Sequence, residues 1–240
     1  MITKTLEYRD GRVTLKGFLA YDEKRSGPRP GVVVFPEALG LGQHAMERAR
    51  RLAAAGYVAL AADPYGDGIF VDTLPKAVEL MTAVRSDVAV WRARAKAALD
   101  ALTAQPQTDR GRLAAIGYCF GGSTALELAR SGAPLGAVTS FHGGLESPRP
   151  DDARNIRAKV LVCHGALDPL VTPAHVAAFQ DQMRQTKVDW ELQIYGGATH
   201  SFTNPEAGSF GNPAFAYSKA ADTRSWKAML DLFAEVFGSD

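Results

Sequence analysis

The sequence predicts an α/β protein, with a mostly parallel central sheet, helices on both faces and an antiparallel N-terminal hairpin. Three observations lead there. Apolar runs such as GVVVF at 31–35 and KVLVCHG at 159–165 have the pattern of strands buried on both faces. Segments of helical spacing separate such runs along the whole chain, which implies crossover connections between parallel strands. Asp10-Gly11, a dipeptide that tolerates positive φ, joins two runs that alternate or carry β-branched residues.

Residues 2–9 and 12–21 therefore make the hairpin. GVVVF forms the next strand and stops at Pro36. Ala45, Ala49, Leu52 and Ala53 recur at helical spacing between Gln43 and Ala55, Gly56 caps that helix, and YVALAAD at 57–63 returns as a strand. Helices follow at 74–84 and from Asp87 to Gln105, the second with Ser86 as its expected N-cap. RLAAIGY (112–118) is a strand, Gly121 to Arg130 a helix, and GAVTSFH (136–142) and KVLVCHG are strands. A helix from Pro173 to Thr186, a strand at 189–197 and an amphipathic helix from Tyr217 to Phe237 complete the chain. Glycines and prolines punctuate these elements without clustering, so the expectation is one domain over 1–240.

Composition narrows the function. Of 240 residues 46% are hydrophobic and 22% charged, and 27 Lys and Arg face 26 Asp and Glu for a net charge of +1, so no field gathers nucleic acid or an anionic membrane. The opening MITKTLEYRD is polar, and no apolar run nears the roughly 20 residues that span a bilayer, so a cytoplasmic protein is expected. The chain shows no dinucleotide fingerprint, phosphate loop or spaced ligand cluster, so neither cofactor nor metal is expected. Two cysteines are too few for a disulfide framework and are read as thiols.

One thiol stands in a telling place. Gly117-Tyr118-Cys119-Phe120-Gly121-Gly122 joins a strand to a helix, a corner in which a strained turn lifts the central side chain above the sheet. The helix start behind it favours a thiolate. Asp168 follows the strand KVLVCHG and His200 follows the next strand, so nucleophile, acid and histidine come in the order expected on such a sheet. Cys119 is the expected nucleophile, His200 its base, and Asp168 the residue that fixes the imidazole. Backbone N–H groups of Phe120 and Ala38 are the candidate oxyanion donors. Acid is expected to reduce activity by protonating His200. His142 and His164 are assigned to loop backbone, and Cys163 to packing inside its strand.

FPEALGLG (35–42), DPYG (63–66), GYCFGG (117–122), HGALDPLV (164–171) and GATHSF (197–202) together resemble the dienelactone hydrolase family of the α/β-hydrolase superfamily. The resemblance implies the α/β-hydrolase fold and a cofactor-free reaction on a small ester or enol lactone. It implies too that Glu37 helps convert a neutral thiol into the thiolate when substrate binds. Asn204 stands where the founding members carry a substrate-clamping arginine, and Arg85 is the candidate for their other arginine. Tyr65, Phe141 and Phe202 are candidates to line the substrate pocket, with Phe70, Trp91 and Phe210 also considered. A monomer or weak homodimer is expected. Two other readings stay open: a broad-scope short-chain carboxylesterase inactive on dienelactone, and a non-catalytic ligand-binding protein of the same fold.

Overall fold

The computed structural model describes residues 1–238. β1 (Ile2–Asp10) and β2 (Val13–Tyr21) pair antiparallel from Ile2 opposite Tyr21 to Asp10 opposite Val13, with Gly11 at φ 55° in the turn. With β3 (Arg29–Phe35), β4 (Val58–Ala61), β5 (Thr108–Tyr118), β6 (Ala137–Phe141), β7 (Lys159–Gly165) and β8 (Trp190–Tyr195), they make an eight-stranded sheet in the order β1-β2-β4-β3-β5-β6-β7-β8. The β2–β4 pair is antiparallel, and the β3–β4, β6–β7 and β7–β8 pairs are parallel. No helix among the described residues is long and apolar enough to cross a membrane. The described residues divide into two compact units, residues 1–116 and 117–238.

In the first unit β3 is buried along its whole length, as its apolar run requires. α1 (Gln43–Ala54) packs on β2, β3 and β4 and buries the four expected alanine and leucine positions, after which Gly56 takes φ 103°. α2 (Leu74–Arg85) is followed by α3 (Val88–Thr103). The cap of α3 is Asp87, whose carboxylate accepts the Ala89 N–H, and not Ser86, which closes α2 instead. β5 begins at Thr108, before the apolar run, because residues 108–111 are polar and give no strand signal in sequence.

Asp63, just past β4, explains the DPYG segment. One carboxylate oxygen accepts the N–H groups of Tyr65 (3.0 Å) and Gly66 (2.8 Å); the other accepts those of Lys16 (2.9 Å) and Gly68 (2.7 Å). A buried carboxylate is tolerable here because four donors replace its lost water.

In the second unit α4 (Phe120–Arg130) buries every one of its residues. The Arg130 guanidinium lies within it, donating to Glu127 (3.0 Å), to the Leu145 carbonyl (3.1 Å) and to Gln182 (2.9 Å). α5 (Pro173–Arg184) starts from Thr172 in a reciprocal cap with His175, and α6 (Lys219–Phe237) from Ser218. Short 3₁₀ turns at Pro150–Asn155 and Ala207–Phe210 occupy segments whose sequence reads as loop.

Candidate active site

The corner after β5 begins with a steric demand. A Cβ on Gly117 would lie 1.9 Å from the Gly121 carbonyl oxygen, and one on Gly122 would lie 2.6 Å from the Ser140 hydroxyl. Two glycines thus let the strand, the turn and α4 meet closely. Between them Cys119 takes φ 53°, a conformation that costs a non-glycine residue about 1–3 kcal/mol and persists only where its surroundings impose it. Its side chain is half-buried, whereas Cys163 in β7 is wholly buried and its thiol is pushed up to about 12 by that burial.

Past β8, His200 is almost completely buried, and its Nδ1 lies 2.7 Å from Oδ2 of Asp168, past β7. Burial opposes a charge on this imidazole. The Cys119 sulfur and the hydrogen-bonded Asp168 carboxylate outweigh it and raise the pKa from 6.5 to about 10. Burial likewise works against the Asp168 anion, but His200 and the Leu170 and Val171 N–H groups leave its pKa below the usual carboxylate value. The pKa of His164, at the end of β7, is lowered from the ordinary imidazole value, since burial disfavours its cation.

The segment after His200 is tied down. His200 N–H donates to the Ala214 carbonyl (3.0 Å), the Ala216 N–H donates back to the His200 carbonyl (3.2 Å), and the Phe215 ring stands edge-on to the imidazole at 5.4 Å. Asn204 is buried near its start, where its side-chain oxygen accepts the Glu206 N–H at 3.0 Å. Phe141 and Phe202, expected against substrate, are sealed: Phe141 stacks on Tyr118 at 4.8 Å, and Phe202 packs on His142 and Tyr195. Both are too enclosed to offer a ligand a surface.

The remaining expected residues belong to the first unit. Glu37 is buried with its carboxylate 3.5 Å from His44 Nδ1, and Arg48 donates to the other nitrogen of that ring at 3.2 Å. The Ala38 carbonyl accepts the Tyr65 hydroxyl at 2.7 Å. Arg85 is exposed at the end of α2, its guanidinium 5.3 Å from the Trp91 ring centre. Among the described residues no group of three His, Cys, Asp or Glu side chains is placed to hold a metal ion.

Sequence reasoning assigned His142 to loop backbone. The backbone it holds is that of Cys119, whose N–H donates to His142 Nδ1 at 3.1 Å. Nothing in the spacing marks this, because the contact joins the ends of two different strands.

The strand order, the corner after β5 and the crossovers define an α/β-hydrolase fold. The sequence model described as the dienelactone hydrolase family matches residues 15–237, and the chain belongs to that family. It is a dienelactone hydrolase-like hydrolase. A solved structure described as "m3DLH" is 53% identical over 98% of both chains, with a TM-score of 0.96. Another, described as a dienelactone hydrolase-like promiscuous phosphotriesterase, P91, from metagenomic libraries, is 52% identical over 99% of both, with a TM-score of 0.95. A probable 2-oxo-3-(5-oxofuran-2-ylidene)propanoate lactonase of Bradyrhizobium sp. is 32% identical over 74% of this chain and 75% of its own.

Proposed function

We propose that this protein is a cytoplasmic, cofactor-free hydrolase that opens carboxylic esters or enol lactones through a thioester on Cys119. The observation that carries the reading is geometric: Cys119 is presented at φ 53° on the corner after β5, and the buried His200 lies with its Nδ1 2.7 Å from the Asp168 carboxylate.

The chemistry follows from where the proton sits. Once the Cys119 proton has passed to His200, the sulfur is a thiolate and attacks the carbonyl carbon. The oxyanion forms beside the start of α4, where the Phe120 N–H is the candidate donor. Collapse breaks the C–O bond, and the departing alkoxide takes the proton from His200. The sulfur is now acylated and uncharged. Its support for the cation is gone, burial favours the neutral ring, and His200 becomes the base that takes a proton from water. Hydroxide cleaves the thioester, the acid departs, and thiolate and imidazolium are restored. The Ala38 N–H is the second candidate donor to the oxyanion, and the part assigned to Glu37 rests on the family resemblance. Asn204 in place of an arginine favours less acidic substrates than dienelactone itself.

Cys119→Ala is expected to abolish hydrolysis of p-nitrophenyl acetate and of a lactone panel. Mass spectrometry of the wild-type protein quenched during turnover is expected to show an acyl group on Cys119. Unchanged hydrolysis by the variant would overturn the reading.

A second reading, hydrolysis of neutral phosphotriesters at the same thiolate, is favoured by the 52% identity to the phosphotriesterase structure. Paraoxon turnover that disappears with Cys119→Ala supports it, and no turnover by the wild type removes it.

A further inference from the structure

We infer that His142 is a positioning residue for the nucleophile, acting through the Cys119 amide and not on the substrate; the inference rests on the thiol reading above. His142 immediately follows β6, is fully buried, and holds φ 41°, a backbone conformation uncommon outside glycine. Such strain at a site persists only where neighbouring groups impose it.

The hydrogen bonds define the ring's state. A backbone N–H can only donate, so His142 Nδ1, 3.1 Å from the Cys119 nitrogen, accepts. The ring hydrogen is therefore on Nε2, which lies 2.8 Å from the Thr203 hydroxyl and donates to it. A neutral imidazole thus bridges the nucleophile's own amide and the segment three residues beyond His200. The same Cys119 amide donates to the Phe141 carbonyl at 3.0 Å. An amide held by two acceptors fixes the peptide plane from which the φ of Cys119 is turned, and so holds in place the nitrogen and Cα from which the sulfur departs.

The ring reaches the base as well. Its centre is 5.3 Å from that of His200 with the planes at 63°, and 5.1 Å from that of Phe202 at 80°. His142 therefore sets the spacing between thiol and imidazole, on which proton transfer depends, without touching either reacting atom. Tyr118, with its ring centre 6.0 Å away, and Phe202 flank the imidazole.

Three variants separate this from a role in packing. His142→Asn places a carbonyl oxygen where Nδ1 was and tolerates the positive φ, so it retains the acceptor for the Cys119 N–H and loses Thr203. His142→Gln reaches Thr203 but offers no acceptor at the Nδ1 position. His142→Phe keeps only the ring. On an activated ester, His142→Asn is expected to keep most of kcat. His142→Gln and His142→Phe are expected to lose about 100-fold in kcat with KM nearly unchanged, the scale of a misplaced reacting group. In the wild type, ¹⁵N NMR of the imidazole is expected to show the hydrogen on Nε2. A kcat in His142→Asn no better than in His142→Phe, losses that merely follow Tm, or a hydrogen on Nδ1 would each overturn the inference. Cys119→Ala, assayed alongside, identifies failure of the thiol reading separately, and the NMR result stands whatever that assay gives.

Discussion

The two oxygens of Asp168 divide their partners: Oδ2 lies 2.7 Å from His200 Nδ1, while Oδ1 accepts the N–H groups of Leu170 at 2.8 Å and Val171 at 3.1 Å. The backbone thus orients the carboxylate before it orients the imidazole, and only one lone-pair face is left to select the ring's tautomer.

Asp168→Asn preserves the shape and the two backbone bonds. Its amide NH₂ then faces His200 Nδ1, which must accept, and the hydrogen moves to Nε2, where it cannot serve as base. A kcat lower by about a thousandfold or more is expected, with little change in the urea midpoint. Steady-state rates on an aryl ester check it.

The pKa of His200 alters the expected pH profile. Acid is expected from sequence to reduce activity by charging this ring; here the Cys119 sulfur and the Asp168 carboxylate raise its pKa to about 10 against burial, so its proton is lost only in alkali. The sensitive limb is therefore alkaline. Alkyl esters, whose leaving group needs that proton, are expected to lose kcat as pH passes about 10, whereas p-nitrophenyl esters are not. The folded value lies above the free value of 6.5, so the cation's stabilisation is complete below 6.5 and fades as pH rises through about 10. In Cys119→Ala the sulfur's support is absent, and Tm measured against pH is expected to begin its alkaline decline earlier.

Gly117→Ala is expected to cost at least about 3 kcal/mol, since the new methyl meets backbone that cannot yield. Gly11→Ala has nothing within 4 Å of its new methyl and suffers only the positive φ, about 1–2 kcal/mol. Urea unfolding of the two variants gives the contrast.

Asp63→Asn replaces one accepting oxygen by a donor and sets it against two N–H groups, whichever way the amide turns. A loss of about 2–4 kcal/mol is expected from two donors, at least partly buried, left without acceptors. Differential scanning calorimetry measures it, and Asp63→Ala is expected to be no better.

Much of this architecture was legible in the residues. The hairpin, β3 and α1 lie where Asp10-Gly11, GVVVF and the alanine spacing place them, because each is decided by local chemistry. The corner was legible because close backbone approach admits only glycine. Less local features were not. Ser86 and Asp87 are both good caps, and only the observed end of α2 decides between them. Phe141 and Phe202 look alike in sequence whether they line a pocket or fill a core. His142 and Asp63 act on amides that topology brings near, and no periodicity records that.

A helix without a solvent face has a consequence for the molecule's capacity to change. Every residue of α4 is enclosed, down to the Arg130–Glu127 pair, so no position there is free to drift, carry a label or accept a new charge. Any retuning of what this protein acts upon has to come from the segments that join its elements, and the corner that presents the thiol is the part an engineer should leave alone.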